Sequence, residues 1–158
     1  MKSILTIGKI ALVVCLFTAC NNLSKPAEHI KTPEELRQEL KQNEQGNPLG
    51  YVGSHNENLK PNVVMIREGG LFRDAQYETQ GDILSGSIKN SASVATFKDA
   101  VLKVSYISET NTVISSEQFT IYKVFAPGSD IAYGDIKTNP PAEMKSYNVQ
   151  VIGATAIN

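Results

Sequence analysis

The sequence predicts an all-β protein, a two-sheet sandwich of about seven strands preceded by one short N-terminal helix. Three observations carry that expectation. Ala100, Leu102, Val104 and Tyr106 share one face while Lys103 and Ser105 point the other way. Leu84, Gly86 and Ile88 alternate in the same manner with Ile83, Ser85 and Ser87. A period of two belongs to strands, because successive side chains leave opposite sides of the pleat. Finally, short apolar segments recur between turn signals over about 100 residues, and both of their faces are partly apolar, as two packed sheets require. Residues 82–107 organise this pattern as strand, irregular connection, strand, and the strands that follow are expected to pack against that pair.

The chain has 158 residues, 41% of them hydrophobic and 20% charged, which is the composition of a globular domain with some extra length. Its formal charge is −1, so it lacks the basic footprint that nucleic-acid binding requires. There is no tryptophan, and six Tyr and five Phe supply the large apolar volume.

Residues 1–9 carry Lys2 and Lys9, and residues 10–19 are an uncharged apolar run. That run is too short to span a bilayer, which takes about 20 apolar residues. A basic start, a short apolar stretch and a small residue before the cut make residues 1–19 a secretory signal peptide. The run ends Leu16-Phe17-Thr18-Ala19-Cys20 and resembles the bacterial lipobox, closest to its Bacteroidetes type. In that motif the cysteine is lipidated on sulfur and becomes the first mature residue. Phe17 stands where the motif prefers Leu, and Leu16 lies one place early. The resemblance implies that Cys20 is the lipidation site and that Cys15 leaves with the signal. No second mature cysteine then exists for an intrachain disulfide. Loss of Lys2 and Lys9 takes the formal charge from −1 to about −3. The start Asn21-Asn22-Leu23-Ser24-Lys25 has no acidic run of the kind that resembles surface-export signals. Attachment to the outer membrane on its periplasmic face is therefore expected.

Residues 20–31 are polar and aperiodic, and read as a flexible tether. Residues 32–61 read as a short helix and a loop. Thr32 can cap the helix, Pro33 suits its first position, and Glu35 completes a capping box, so a helix is expected over residues 33–43. Leu36 and Leu40 form a stripe too narrow for a helix bundle, so the helix should dock lightly on a larger body. Residues 49–52 are expected to tuck under that body, and residues 53–61 to form a polar loop.

The sandwich is expected over residues 62–158. Strands at residues 63–67 and 71–76 flank Gly69-Gly70, a pair that permits the positive φ of a tight hairpin. Residues 83–89 and 100–107 are the organising pair, and Asn111 suits a left-handed turn position after it. Residues 113–124 form a long strand with Phe119, Ile121 and Phe125 on one face. Strands at residues 131–136 and 147–152 close the domain. Gly86 allows close packing within its strand, Asn90 can cap a turn through its side chain, and Phe97 covers one end of the core.

Gly86-Ser87-Ile88-Lys89-Asn90, residues 95–104 from Ala95-Thr96-Phe97 onward, and Ala126-Pro127-Gly128-Ser129 together resemble the FxLYD-type family over about residues 80–155. Those are small immunoglobulin-like sandwiches of bacterial envelope proteins. The resemblance implies an immunoglobulin-like fold and an accessory or interaction module with no catalytic residues to carry over. The family usually has Asp soon after the second strand's aromatic, whereas Tyr106 is followed here by Ile107-Ser108-Glu109.

Chemistry is sparse. His29 lies in the tether and His55 in an early loop, where a lone histidine seldom makes a metal site. Asp130 and Asp135 could contribute to a calcium site, without EF-hand spacing to support one. Gly69-Gly70 lacks the lysine of a phosphate loop. The expectation is a non-catalytic envelope lipoprotein without a cofactor. The membrane is reached through the lipid on Cys20, and the sandwich binds a protein or glycan partner. The alternatives are a structural spacer or homo-oligomeric component, or a calcium-binding or metal-dependent enzyme. Exposed strand edges give such a domain a physical route to binding by β-addition.

Overall fold

The computed structural model describes residues 30–158. The expected signal peptide, Cys20, His29 and nearly all of the expected tether lie outside the described residues. The elements, in order, are helix α1 (Pro33–Gly46), a 3-10 turn (Pro48–Gly50) and strands β1 (Val52–Arg67), β2 (Gln76–Asn90), β3 (Thr96–Ile107), β4 (Val113–Phe125), β5 (Asp130–Thr138) and β6 (Ser146–Ile157). They form two three-stranded antiparallel sheets, ordered β1-β2-β5 and β4-β3-β6. The expected all-β sandwich is present, built from six strands and not seven.

The organising pair is divided between the sheets, with β2 the centre of one and β3 the centre of the other. They meet face to face across the core. Leu84 and Ile88 of β2 and Ala100, Leu102, Val104 and Tyr106 of β3 are fully buried, so the alternation located both inner faces correctly. Phe97 and Phe125 close one end of this core and Tyr133 joins it from β5. Gly86 meets Tyr133 so closely that a Cβ there would lie 2.6 Å from the tyrosine Oη. Burial pushes the Tyr133 phenol up to about 12 and raises that of Tyr106 as well.

The turns follow their residues. Asn111 takes a φ of 59°. Gly128 takes 71° after Pro127, and the Ser129 N–H donates to the Ala126 carbonyl at 3.0 Å, as a type II turn requires. Asn90 is wholly buried; its Oδ1 accepts from the Ala92 N–H, while its Nδ2 donates to the carbonyls of Ala95 and Phe125 at 3.0 and 2.9 Å. One side chain thus holds the β2–β3 connection against the end of β4.

Two local expectations are corrected. Residues 53–61 are not a loop but the first part of β1, in register with residues 82–89 of β2. Their polar side chains suit an edge strand with one solvated face. Residues 71–75 are not a strand, β2 opening only at Gln76, and neither Gly69 nor Gly70 has a positive φ. Instead Gly70 and Arg73 exchange both backbone hydrogen bonds, at 2.7 and 3.2 Å, and close a turn with Leu71 and Phe72 at its corners.

Candidate functional site

Helix α1 starts as its capping box dictates, with the Thr32 hydroxyl accepting from the Glu35 N–H and the Glu35 carboxylate accepting from the Thr32 N–H. It continues to Gly46, three residues past the expected end, and is almost entirely exposed; Leu36 and Leu40 remain 53% and 40% accessible. Its hold on the sandwich is its last turn. Glu44 is 1% exposed, and its carboxylate accepts the backbone N–H groups of Ser93, Val94 and Ala95 at 2.8, 2.9 and 2.8 Å. Burial alone would raise the pKa of this acid, but the three N–H donors outweigh it and hold the carboxyl below its ordinary value. Gln45 adds a bond from Nε2 to the Ile157 carbonyl at 2.8 Å. Glu44 is not among the candidate residues that the sequence singles out. The available signal was its position one turn beyond Leu40 on the Leu36–Leu40 stripe, facing a loop of small residues that leaves its backbone open.

Beside this junction lies an open groove of about 500 Å³, lined in part by Leu49, Tyr51, His55, Lys89, Ser91 and Asp130. Val52, next to it, is buried and packs on the core. The bulge between His55 and Asn58, with Asn56 at a φ of 55°, re-aims β1 so that His55 reaches over β2 to Asp130 of β5. His55 Nε2 lies 3.0 Å from an Asp130 carboxylate oxygen. A histidine–carboxylate pair can orient a nucleophile, yet the Ser54 and Ser91 hydroxyls are engaged with the carbonyls of Val149 and Tyr51. Asp130 is thus joined to His55, and Asp135 stands on β5 with a φ of 58°. Among the described residues no group of three or more His, Cys, Asp or Glu side chains is placed to hold a metal ion.

The other end of β1 is built differently. β5 pairs with β2 only from Asp82 onward, so residues 63–79 extend beyond the end of β5 as a two-stranded ribbon. Strand β1 has 16 residues at about 3.3 Å each, which sets the ribbon tip up to about 50 Å from the α1 junction. Leu71 and Phe72 at the tip are 92% and 96% exposed. Val63, Met65, Ile66 and Tyr77 along the shaft are exposed by half or more of their surface, apart from Met65 at 49%. Soluble domains seldom display large apolar side chains in contiguous groups, and such groups mark contact surfaces. The apolar pair Leu71-Phe72 read as strand in the sequence because periodicity cannot tell a tip from a core.

Among the described residues no helix is long and apolar enough to cross a membrane. No protein-family pattern, no curated protein and no solved structure matches this chain.

Proposed function

We propose that this protein is an exported envelope lipoprotein, anchored at Cys20 on the periplasmic face of the outer membrane, whose sandwich is a non-catalytic module that binds a protein partner through the β1–β2 ribbon. The observation that carries the reading is the exposure of Leu71 and Phe72 at the ribbon tip. Turn corners normally carry Gly, Asn, Asp or Ser, so two large apolar residues there are costly in water and are accounted for by a partner that covers them. The signal-like residues 1–19, the lipobox-like end at Cys20 and the FxLYD-like motifs of the sandwich support the same reading. Helix α1 is locked at its last turn to one end of the sandwich by Glu44, and the ribbon is presented at the other end.

A glycan is the second reading, favoured by the groove where the ring of Tyr51 lies beside the polar groups of His55, Lys89 and Asp130. Crosslinking of the intact protein in cells, with Cys20→Ala as control, tests the proposal. Capture of one specific protein that needs both the anchor and an intact ribbon tip supports it. Capture that persists without the tip, or glycan retention lost with Asp130→Ala, moves the site to the groove.

A further inference from the structure

The free edge of β1 in the ribbon has a symmetry of its own. From Lys60 to Glu68 the sequence reads Lys-Pro-Asn-Val-Val-Met-Ile-Arg-Glu, centred on Val64. An antiparallel pairing of two copies about Val64 sets Val63 against the other copy's Met65 and Asn62 against Ile66. It also sets Lys60 against Glu68, twice. Among the described residues neither Lys60 nor Glu68 has an ion-pair partner of its own. The irregularities of β1 share the same centre, for its pairing with β2 slips between Pro61 and Val63 and again between Met65 and Arg67. Bulge would therefore face bulge, and the regular ladder of residues 63–65 would face itself.

We infer that a second copy of this chain docks on the β1 edge, antiparallel and centred on Val64, to make a four-stranded ribbon ordered β2-β1-β1-β2. β1 is an edge strand with unpaired backbone groups along one side. A two-stranded ribbon without a core is marginal in water, and three or more strands with a shared apolar face are needed for independent stability. Pairing supplies that face, because Val63, Met65 and Tyr77 lie on one side of the ribbon and two copies bring these residues together. A two-fold contact of this kind is self-complementary and closes on itself. Pro61 and the two bulges confine the usable edge to a short stretch, which opposes open-ended stacking. The inference deepens the reading of the ribbon as the docking element and rests on it; the tip residues Leu71 and Phe72 stay free for a different protein.

The test uses the full-length protein in cells, with diamide as oxidant for paired thiols. Facing residues of an antiparallel pair have Cα atoms about 4.5–5.5 Å apart, within disulfide reach. Val64→Cys is expected to convert most of the protein to a disulfide dimer on a non-reducing gel. Tyr122→Cys, more exposed than position 64 but on β4, is expected to stay monomeric. Lys60→Glu and Glu68→Lys should each lower the Val64→Cys dimer yield severalfold, and the double exchange should restore it. A Val64→Cys protein that crosslinks no more than Tyr122→Cys, or a dimer indifferent to both charge reversals, overturns the inference. The unsubstituted protein reports any dimer made through Cys15 or Cys20, so a failure of the lipid-anchor reading appears there. Loss of partner capture through Leu71 and Phe72 is scored separately, so the two readings fail distinguishably.

Discussion

Replacing Glu44 with alanine removes the acceptor for three backbone donors at once. The Ala95 N–H is buried and stays unsatisfied, which costs about 1–3 kcal/mol. The Ser93 and Val94 N–H groups are partly buried and regain water, so each loses only the net worth of a hydrogen bond, about 0.5–1.5 kcal/mol. The substitution also removes the cost of burying a charge, which offsets part of the loss. A net destabilisation of about 3 kcal/mol follows, equivalent to a fall of about 10 °C in Tm for a domain of this size. Glu44→Gln keeps the shape and one carbonyl acceptor and should cost about half as much. Urea melts followed by circular dichroism would measure both, and hydrogen exchange at Ser93, Val94 and Ala95 would localise the effect. Because the carboxyl is held below its ordinary 4.5, the stabilisation is fully present above that pH and is lost as the pH falls through the folded value. A Glu44→Ala protein within about 0.5 kcal/mol of the parent would refute the idea that this carboxylate locks the helix to the sandwich, since ordinary surface changes fall in that range.

Three further outcomes are expected. Asn90→Ala leaves two buried carbonyls and the Ala92 N–H without their partner and should cost about 2–4 kcal/mol in a chemical melt. Gly86→Ala sets a methyl against the Tyr133 ring and should destabilise by about 1–3 kcal/mol, with part of the loss recovered by Tyr133→Leu in the same chain. The folded Tyr133 phenol titrates at about 12 against an ordinary 10.0, so the folded state holds its proton longer than the unfolded state does. The resulting stability is complete below pH 10.0 and is lost as the pH rises towards about 12, which thermal melts across that window would show as a slope reduced in Tyr133→Phe.

Much of the sandwich was legible because burial imposes a period of two. Ala100 to Tyr106 had to alternate once one face of β3 met the core, and Asn90, Asn111 and Pro127-Gly128 carried turn chemistry that needs no tertiary context. Which sheet a strand joins was not legible, because alternation names a face and not a neighbour. Residues 53–61 hid a strand behind Gly53, Asn56, Asn58 and Pro61, since an edge strand is held by its partner's backbone and tolerates turn formers at bulges. Leu71 and Phe72 misled in the opposite direction, as apolar residues are expected inside and these are at a tip. Glu44 went unread because a buried carboxylate is recognised by the donors around it, and those donors are backbone groups of a loop about 50 residues away, at Ser93, Val94 and Ala95. His55 and Asp130, far apart in the chain, meet only because β2 holds β1 and β5 on its two sides.

The central claim is that the ribbon tip is what the protein uses to bind. The most direct measurement compares in-cell crosslinking of the parent with that of Leu71→Ser/Phe72→Ser, after confirming that both melt at the same temperature. The side chains are more than nine-tenths exposed, so their replacement should leave stability unchanged within about 0.5 kcal/mol. Loss of the specific captured protein with an unchanged melt is the predicted result. Undiminished capture by the doubly substituted protein would contradict the account.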